Sequence, residues 1–220
     1  MTKSTSPQTA RWLLPAAGLA IAAVAILAII LSRGSGAPPT TSASLAAGSP
    51  ATSGTPAGPP TITGAALPAF TGALPDPAKG LAAPIVDGHD YEGAPVSIAP
   101  SGRTTMVIFA AHWCPHCQRE IPLIQAWVNG GGLPDGVDII TVSTGIDATR
   151  PNYPPEDWFA REGWTAPVIV DPSNSVATAY GLASYPYFVI LDGAGNVVVR
   201  LSGEIPTNDL EQILATVPAA

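Results

Sequence analysis

Residues 104–122 read TTMVIFAAHWCPHCQREIP. Thr104 to Ala111 is a short apolar, β-prone run, which predicts a buried central strand. It leads straight into Trp113-Cys114-Pro115-His116-Cys117, and these hold the chain's two cysteines. Pro115 to about Val128 predicts a helix. Cys114 then falls in the N-cap region and Pro115 at the first helical position, where its missing N–H costs nothing. Pro122 predicts a kink, because it cannot donate to the Gln118 carbonyl. The start of a helix favours a thiolate through the helix dipole and the free backbone N–H groups. Two cysteines three apart at that point make a dithiol that can open and close as a disulfide.

Other readings of the pair fit less well. Zinc normally needs four ligands, and there is no second cysteine pair. His112 and His116 could complete a set, but a helix start would aim them in different directions. Haem attachment needs CxxCH, and residue 118 is Gln. A purely structural disulfide would close a very small loop and so restrain the unfolded chain little.

Working outward, Ile85 to Ile98 predicts a β-rich approach with turns at Asp87-Gly88 and Glu92-Gly93. Val137 to Ser143 is a second buried strand. Pro155 to Glu162 is a short acidic-first helix stopped by Gly163. Pro167 to Val170 is a third strand, and Ser173 to Tyr180 another short helix. Tyr187 to Leu191 and Asn196 to Leu201 form a hairpin, and Pro206 to Val217 a final amphipathic helix capped near Thr207. The alternation predicts a mixed sheet covered by helices on both faces. Trp127, Trp158 and Trp164 read as packing residues, and His89, between Gly88 and Asp90, as an exposed turn residue.

A strand running into WCxxC at a helix start, a Tyr185-Pro186 step before a later strand, and a closing hairpin and helix resemble the thioredoxin superfamily. Residues 113–122 (WCPHCQREIP) resemble the WCxxCxxExP signature of the TlpA/ResA-like membrane-anchored thioredoxins, as does the extra material between Thr144 and Val170. The likeness covers roughly Ala82 to Val217. It implies a thioredoxin-like three-layer α/β fold and thiol–disulfide oxidoreductase activity with no cofactor or metal. By resemblance, Cys114 is the exposed nucleophile and Cys117 the buried resolving thiol. Pro186 is the cis-proline opposite them, the Tyr185 backbone pairs with substrate, and Trp113 shields the pair. Ile108 stands where many cytoplasmic thioredoxins carry a buried aspartate, so Glu120 or a water must accept the Cys117 proton. Glu120 also reads as an ordinary solvent-facing helix charge. The intervening Pro115-His116 is similar to that of periplasmic disulfide oxidases. A charged His116 would stabilise the Cys114 thiolate and make the disulfide more oxidising. CxxExP and a membrane anchor argue instead for reduction of clients, so direction stays open. The alternative is a copper chaperone-type module using both cysteines and a histidine.

Leu13 to Leu31 is continuously apolar or small. Nineteen helical residues span about 28 Å, close to a hydrocarbon core of about 30 Å. This predicts an uncleaved transmembrane anchor over 12–33, a signal peptide removed on export being the competing reading. Lys3 and Arg11 with the amino terminus, against Arg33 alone, place residues 1–11 in the cytoplasm and the rest outside. Residues 34–78 predict a disordered Pro/Ala/Ser/Thr/Gly linker, in which Phe70 and Leu74 could touch the domain, and 79–220 the ordered domain. The net charge of −7, with no acidic residue before Asp76, argues against a nucleic-acid surface. The expected partners are cysteine-containing client proteins outside the cytoplasm, a membrane redox recycling partner, and membrane lipid through the N-terminal helix.

Overall fold

The computed structural model describes residues 58–217. The apolar segment, residues 1–11 that were expected in the cytoplasm, and the first part of the expected linker lie outside the described residues. Among the described residues, no helix is long and apolar enough to cross a membrane.

Strand β4 (Thr104–Ala110) is the centre of the molecule, and only Thr104, at its start, is not buried. It follows β1 (Thr61–Thr63), β2 (Ile85–His89) and β3 (Pro95–Ile98), and it precedes α1 (Pro115–Asn129). Then come β5 (Val137–Ser143), α2 (Pro155–Arg161), β6 (Val168–Val170), α3 (Ser175–Ala179), β7 (Tyr187–Leu191), β8 (Val197–Ser202) and α4 (Thr207–Ala215). The five-stranded sheet has the order β6-β5-β4-β7-β8. β5 runs parallel to β4 and β7 antiparallel, so β4 is hydrogen-bonded on both edges.

Side chains alternate across β4, and the two faces build two cores. Met106, Ile108 and Ala110 pack with Ile121 and Ile124 of α1, Trp158 and Phe159 of α2, and Leu210 and Leu214 of α4. Val107 and Phe109 pack with Val176, Ala177 and Tyr180 around α3. The expectation of helices on both faces is met unequally. The second face carries one short helix, and Val86 and Ile98 of the antiparallel β1-β2-β3 sheet supply the remaining cover.

Two local expectations are corrected. Asp87-Gly88 is no turn: both residues lie within β2, paired to Ser97 and Val96. Gly88 is glycine because a Cβ there would come within 2.7 Å of Ile169 Cγ2, a close approach of sheet to sheet. His89 closes β2 half-buried rather than sitting exposed in a turn. The chain turns later, where Asp90 accepts from Glu92 and Ala94 N–H and Gly93 takes φ 85°. The final helix is capped next to Thr207, at Pro206.

The boundary at residue 79 is also corrected. β1 pairs with β2, Leu67 and Ala78 are buried, and Leu67 and Phe70 donate their N–H groups to the Ala179 and Gly181 carbonyls. The segment is clamped by Arg200 of β8. Its guanidinium grips the Asp76 carboxylate bidentately, at 2.8 and 2.5 Å, and donates to the Pro68 carbonyl at 2.7 Å. Phe70 packs on Tyr187 with centroids 5.6 Å apart, whereas Leu74 is exposed. Residues from about 58 onward thus belong to the domain despite a linker-like composition.

Candidate active site

The polypeptide leaves the buried end of β4 and turns at Ala111, whose carbonyl accepts the Cys114 N–H at 3.0 Å. Cys114 caps α1 with extended φ/ψ of −73° and 121°, Pro115 takes the first helical position, and the helix runs on through Pro122. Both cysteines are free thiols. Cys117 is fully buried and Cys114 nearly so, at 6% exposure. The expectation of an exposed Cys114 is therefore corrected: it is the outer sulfur of the two, but it is roofed. Its thiol donates toward the Tyr185 carbonyl at 3.9 Å. The Tyr185–Pro186 peptide is cis, as the resemblance implies, and Pro186 is buried.

Trp113 and Tyr185 form the roof. Their rings meet edge to face, 5.9 Å apart at 83°. Trp113 Nε1 donates to the Gly145 carbonyl at 2.6 Å, and Arg150 lies 4.3 Å over its indole ring. Gly145 has φ 62°, and a Cβ there would stand 2.8 Å from the Tyr185 hydroxyl, so only glycine lets the roof close. Asn174 ties this corner to α3, accepting from Thr144 Oγ1 and the Gly145 N–H.

His112 anchors the same loop from below, a role its sequence position did not signal. It is fully buried. Its Nδ1 meets the Pro151 carbonyl at 2.7 Å and its Nε2 accepts the Asp147 N–H at 3.2 Å, which assigns a neutral ring protonated on Nδ1. The His112 carbonyl accepts from Gln118 and Asn152. Both ring nitrogens being engaged, His112 cannot join the cysteines as a metal ligand.

Burial pushes the Cys117 thiol well above its ordinary range. The Ala111 N–H offsets part of that, and the Cys114 and Glu120 charges add to it. Glu120 is buried rather than solvent-facing, which removes one of its two sequence readings. It lies one turn beyond Cys117, its Oε1 accepts the Ile205 N–H at 2.9 Å, and burial raises its carboxyl above the usual range. With Leu123, Glu204 and Ile205 it lines a surface cavity of about 390 Å³.

His116 points away from the pair. Its Nδ1 meets Glu204 Oε1 at 2.6 Å, and Arg119 binds the same carboxylate through Nε and Nη2. Glu204 lies 88 residues from His116 in the chain, and nothing in the sequence marks it.

The sequence and the fold resemble those of known proteins. The Redoxin family model matches residues 62–215. The chain is 28% identical over 141 residues to the thiol-disulfide oxidoreductase ResA of Geobacillus thermodenitrificans, covering 64% of this chain and 78% of the relative. It is 25% identical over 121 residues to the sporulation thiol-disulfide oxidoreductase A of Bacillus subtilis, covering 55% and 72%. A crystal structure of a thioredoxin family thiol:disulfide interchange protein from Chlorobium tepidum superposes with a TM-score of 0.52 at 23% identity, covering 64% of this chain and 97% of the other, and so supports the thioredoxin-like fold. With well over half its length matched by one family model, and with ResA-like oxidoreductases among its relatives, the chain belongs to the Redoxin family.

Proposed function

We propose that the protein is a membrane-tethered, extracytoplasmic thiol–disulfide oxidoreductase that exchanges disulfides with client proteins through Cys114 and Cys117. The observation that carries the reading is the layered thiol pair at the start of α1. An outer sulfur lies against the Tyr185 carbonyl, and an inner one is fully buried beside a buried carboxylic acid.

In the reducing direction the Cys114 thiolate attacks one sulfur of a client disulfide. A mixed disulfide forms and the client's other sulfur leaves as a thiolate. Cys117 then loses its proton and attacks the Cys114 sulfur, which expels the second client thiolate and leaves Cys114–Cys117 oxidised. The oxidising direction is the reverse. Burial keeps Cys117 protonated until a base takes its proton, which protects the mixed disulfide from premature release. Glu120 takes that proton in this reading: it is buried, close enough for its charge to act on Cys117, and one of the residues around the cavity beside Ile205. The Tyr185 backbone beside Pro186, with the Trp113 ring, forms the floor on which a client segment lies.

The membrane tether rests on the apolar run Leu13–Leu31 and the flanking Lys3, Arg11 and Arg33. It predicts that the full chain fractionates with membranes after carbonate extraction, and release by that wash would remove the anchor. The exchange chemistry is tested by Cys117→Ser. That variant accumulates mixed disulfides through Cys114 with cysteine-containing proteins, and adding Cys114→Ser abolishes them. Equal trapping by the single and double variants would sink the assignment.

A further inference from the structure

Glu204 lies just after β8, at the rim of the thiol site. Its Oε1 lies 2.6 Å from His116 Nδ1 and accepts from Arg119 Nη2 at 2.5 Å. Arg119 Nε spans both carboxylate oxygens at 3.1 and 3.2 Å. The guanidinium also lies 2.9 Å from His116 Nδ1, so one carboxylate gathers both basic groups. Those groups belong to the first two turns of α1, which Cys114 caps. Arg119 is within electrostatic reach of the Cys114 sulfur. Arg119 and His116 together hold the Glu204 carboxyl down to about 2, so it is fully charged wherever thiols react. A cation near a thiolate stabilises the reduced form of a CxxC pair and makes its disulfide more oxidising. Here both basic side chains of α1 are turned onto a carboxylate.

Building on the proposed exchange function, we infer that Glu204 is a positioning residue that lowers the reduction potential of the Cys114–Cys117 pair by holding His116 and Arg119 on itself. The balance is that of disulfide plus two glutathione thiols giving dithiol plus glutathione disulfide. Removing the Glu204 charge frees the two basic groups to favour the Cys114 thiolate, and the equilibrium moves toward dithiol. The intact cluster moves it toward disulfide. The pair is thereby made a donor of electrons to client disulfides, although Pro115-His116 by itself suggests an oxidant.

The test equilibrates the full 220-residue chain with glutathione buffers and reads the fraction oxidised after thiol alkylation. E204Q should shift the equilibrium about tenfold toward dithiol, or about 30 mV upward. E204D, which keeps the charge, should stay near the unaltered protein. With His116→Asn and Arg119→Gln already in place, adding E204Q should change the equilibrium by less than about twofold. An unchanged or lowered midpoint in E204Q overturns the inference, as does an equally large shift without the two basic groups. Neither result touches the exchange reading, which fails separately if the unaltered chain forms no Cys114–Cys117 disulfide in any glutathione buffer.

Discussion

Two carboxylates of this domain are drawn out of bulk water, and they are treated in opposite ways. Asp76, on the segment that wraps the sheet, meets the fully buried guanidinium of Arg200, which holds its carboxyl below the usual carboxylate range. Glu120, on the first turns of α1, is buried with a single backbone N–H as its donor, and burial raises its carboxyl above the usual range. A compensated buried charge fixes a chain segment in place. An uncompensated one is costly to ionise, so its carboxyl holds a proton to higher pH than a free one. In the proposed function, the contrast separates a region whose charges serve stability from one whose charges serve chemistry.

The largest effect that would sharpen this separation is at the thiol pair. Cys114→Ser should cut exchange with a client disulfide by on the order of 1,000-fold or more, because a hydroxyl is not an ionised nucleophile at neutral pH. Its urea midpoint should barely move. Arg200→Ala should do the reverse. Leaving Asp76 unpaired in a mostly buried site should lower unfolding free energy by about 3–5 kcal/mol. The rate of client reduction per folded molecule should stay as it was. Loss of exchange at full stability in Arg200→Ala would break the comparison.

Next in size is Glu120→Gln. Removing the proton acceptor should slow release of client from the mixed disulfide on the order of 100-fold, read by quenched-flow alkylation, while formation of the mixed disulfide stays fast. A uniform slowing of both steps would deny Glu120 its role. The two carboxylates should also give stability opposite pH slopes. The Asp76 pKa lies below its unfolded value of 3.8, so its contribution is present above 3.8 and is lost as the pH falls through the lower folded value. The Glu120 pKa lies above its unfolded value of 4.5, so the folded state binds more protons there and stability declines as the pH rises from 4.5 through the raised value. Denaturant unfolding as a function of pH should lose the upper slope in Glu120→Gln and the lower one in Asp76→Asn. The smallest expected change is Trp113→Phe. Losing the hydrogen bond to Gly145 should cost about 1 kcal/mol and leave the reduction potential close to its starting value.

The parts of the fold that were legible are those written in local pattern. The buried run 104–110 ending at WCPHC predicts a central strand feeding a helix start, and the strand, the cap at Cys114 and Pro115 at the first position are all observed. The hairpin after Tyr185-Pro186 is signalled by its apolar runs and Asp192-Gly193-Ala194-Gly195 turn, and β7 and β8 flank that turn. What stayed hidden depends on partners far along the chain. Residues 58–78 have the composition of a tether. They are held by main-chain bonds and by an arginine 124 residues from Asp76, which no window of sequence displays. Asp87-Gly88 reads as a turn because glycine's other use, close packing of one sheet on another, has no local signature. The near-burial of Cys114 depends on Tyr185, 71 residues on. The burial of Glu120 and the turning of His116 depend on residues 204 and 205, which arrive only with the fold.

The account stands on Cys114 and Cys117 trading one bond as a unit, the outer sulfur reacting first. The most direct measurement is to place the full chain in a series of glutathione buffers, quench with acid, and read each cysteine by mass spectrometry after alkylation. A single two-electron transition to an intramolecular Cys114–Cys117 disulfide is predicted, with transient glutathione found on Cys114 alone. Glutathione accumulating on Cys117, or two thiols that stay alkylatable in every buffer, would contradict it.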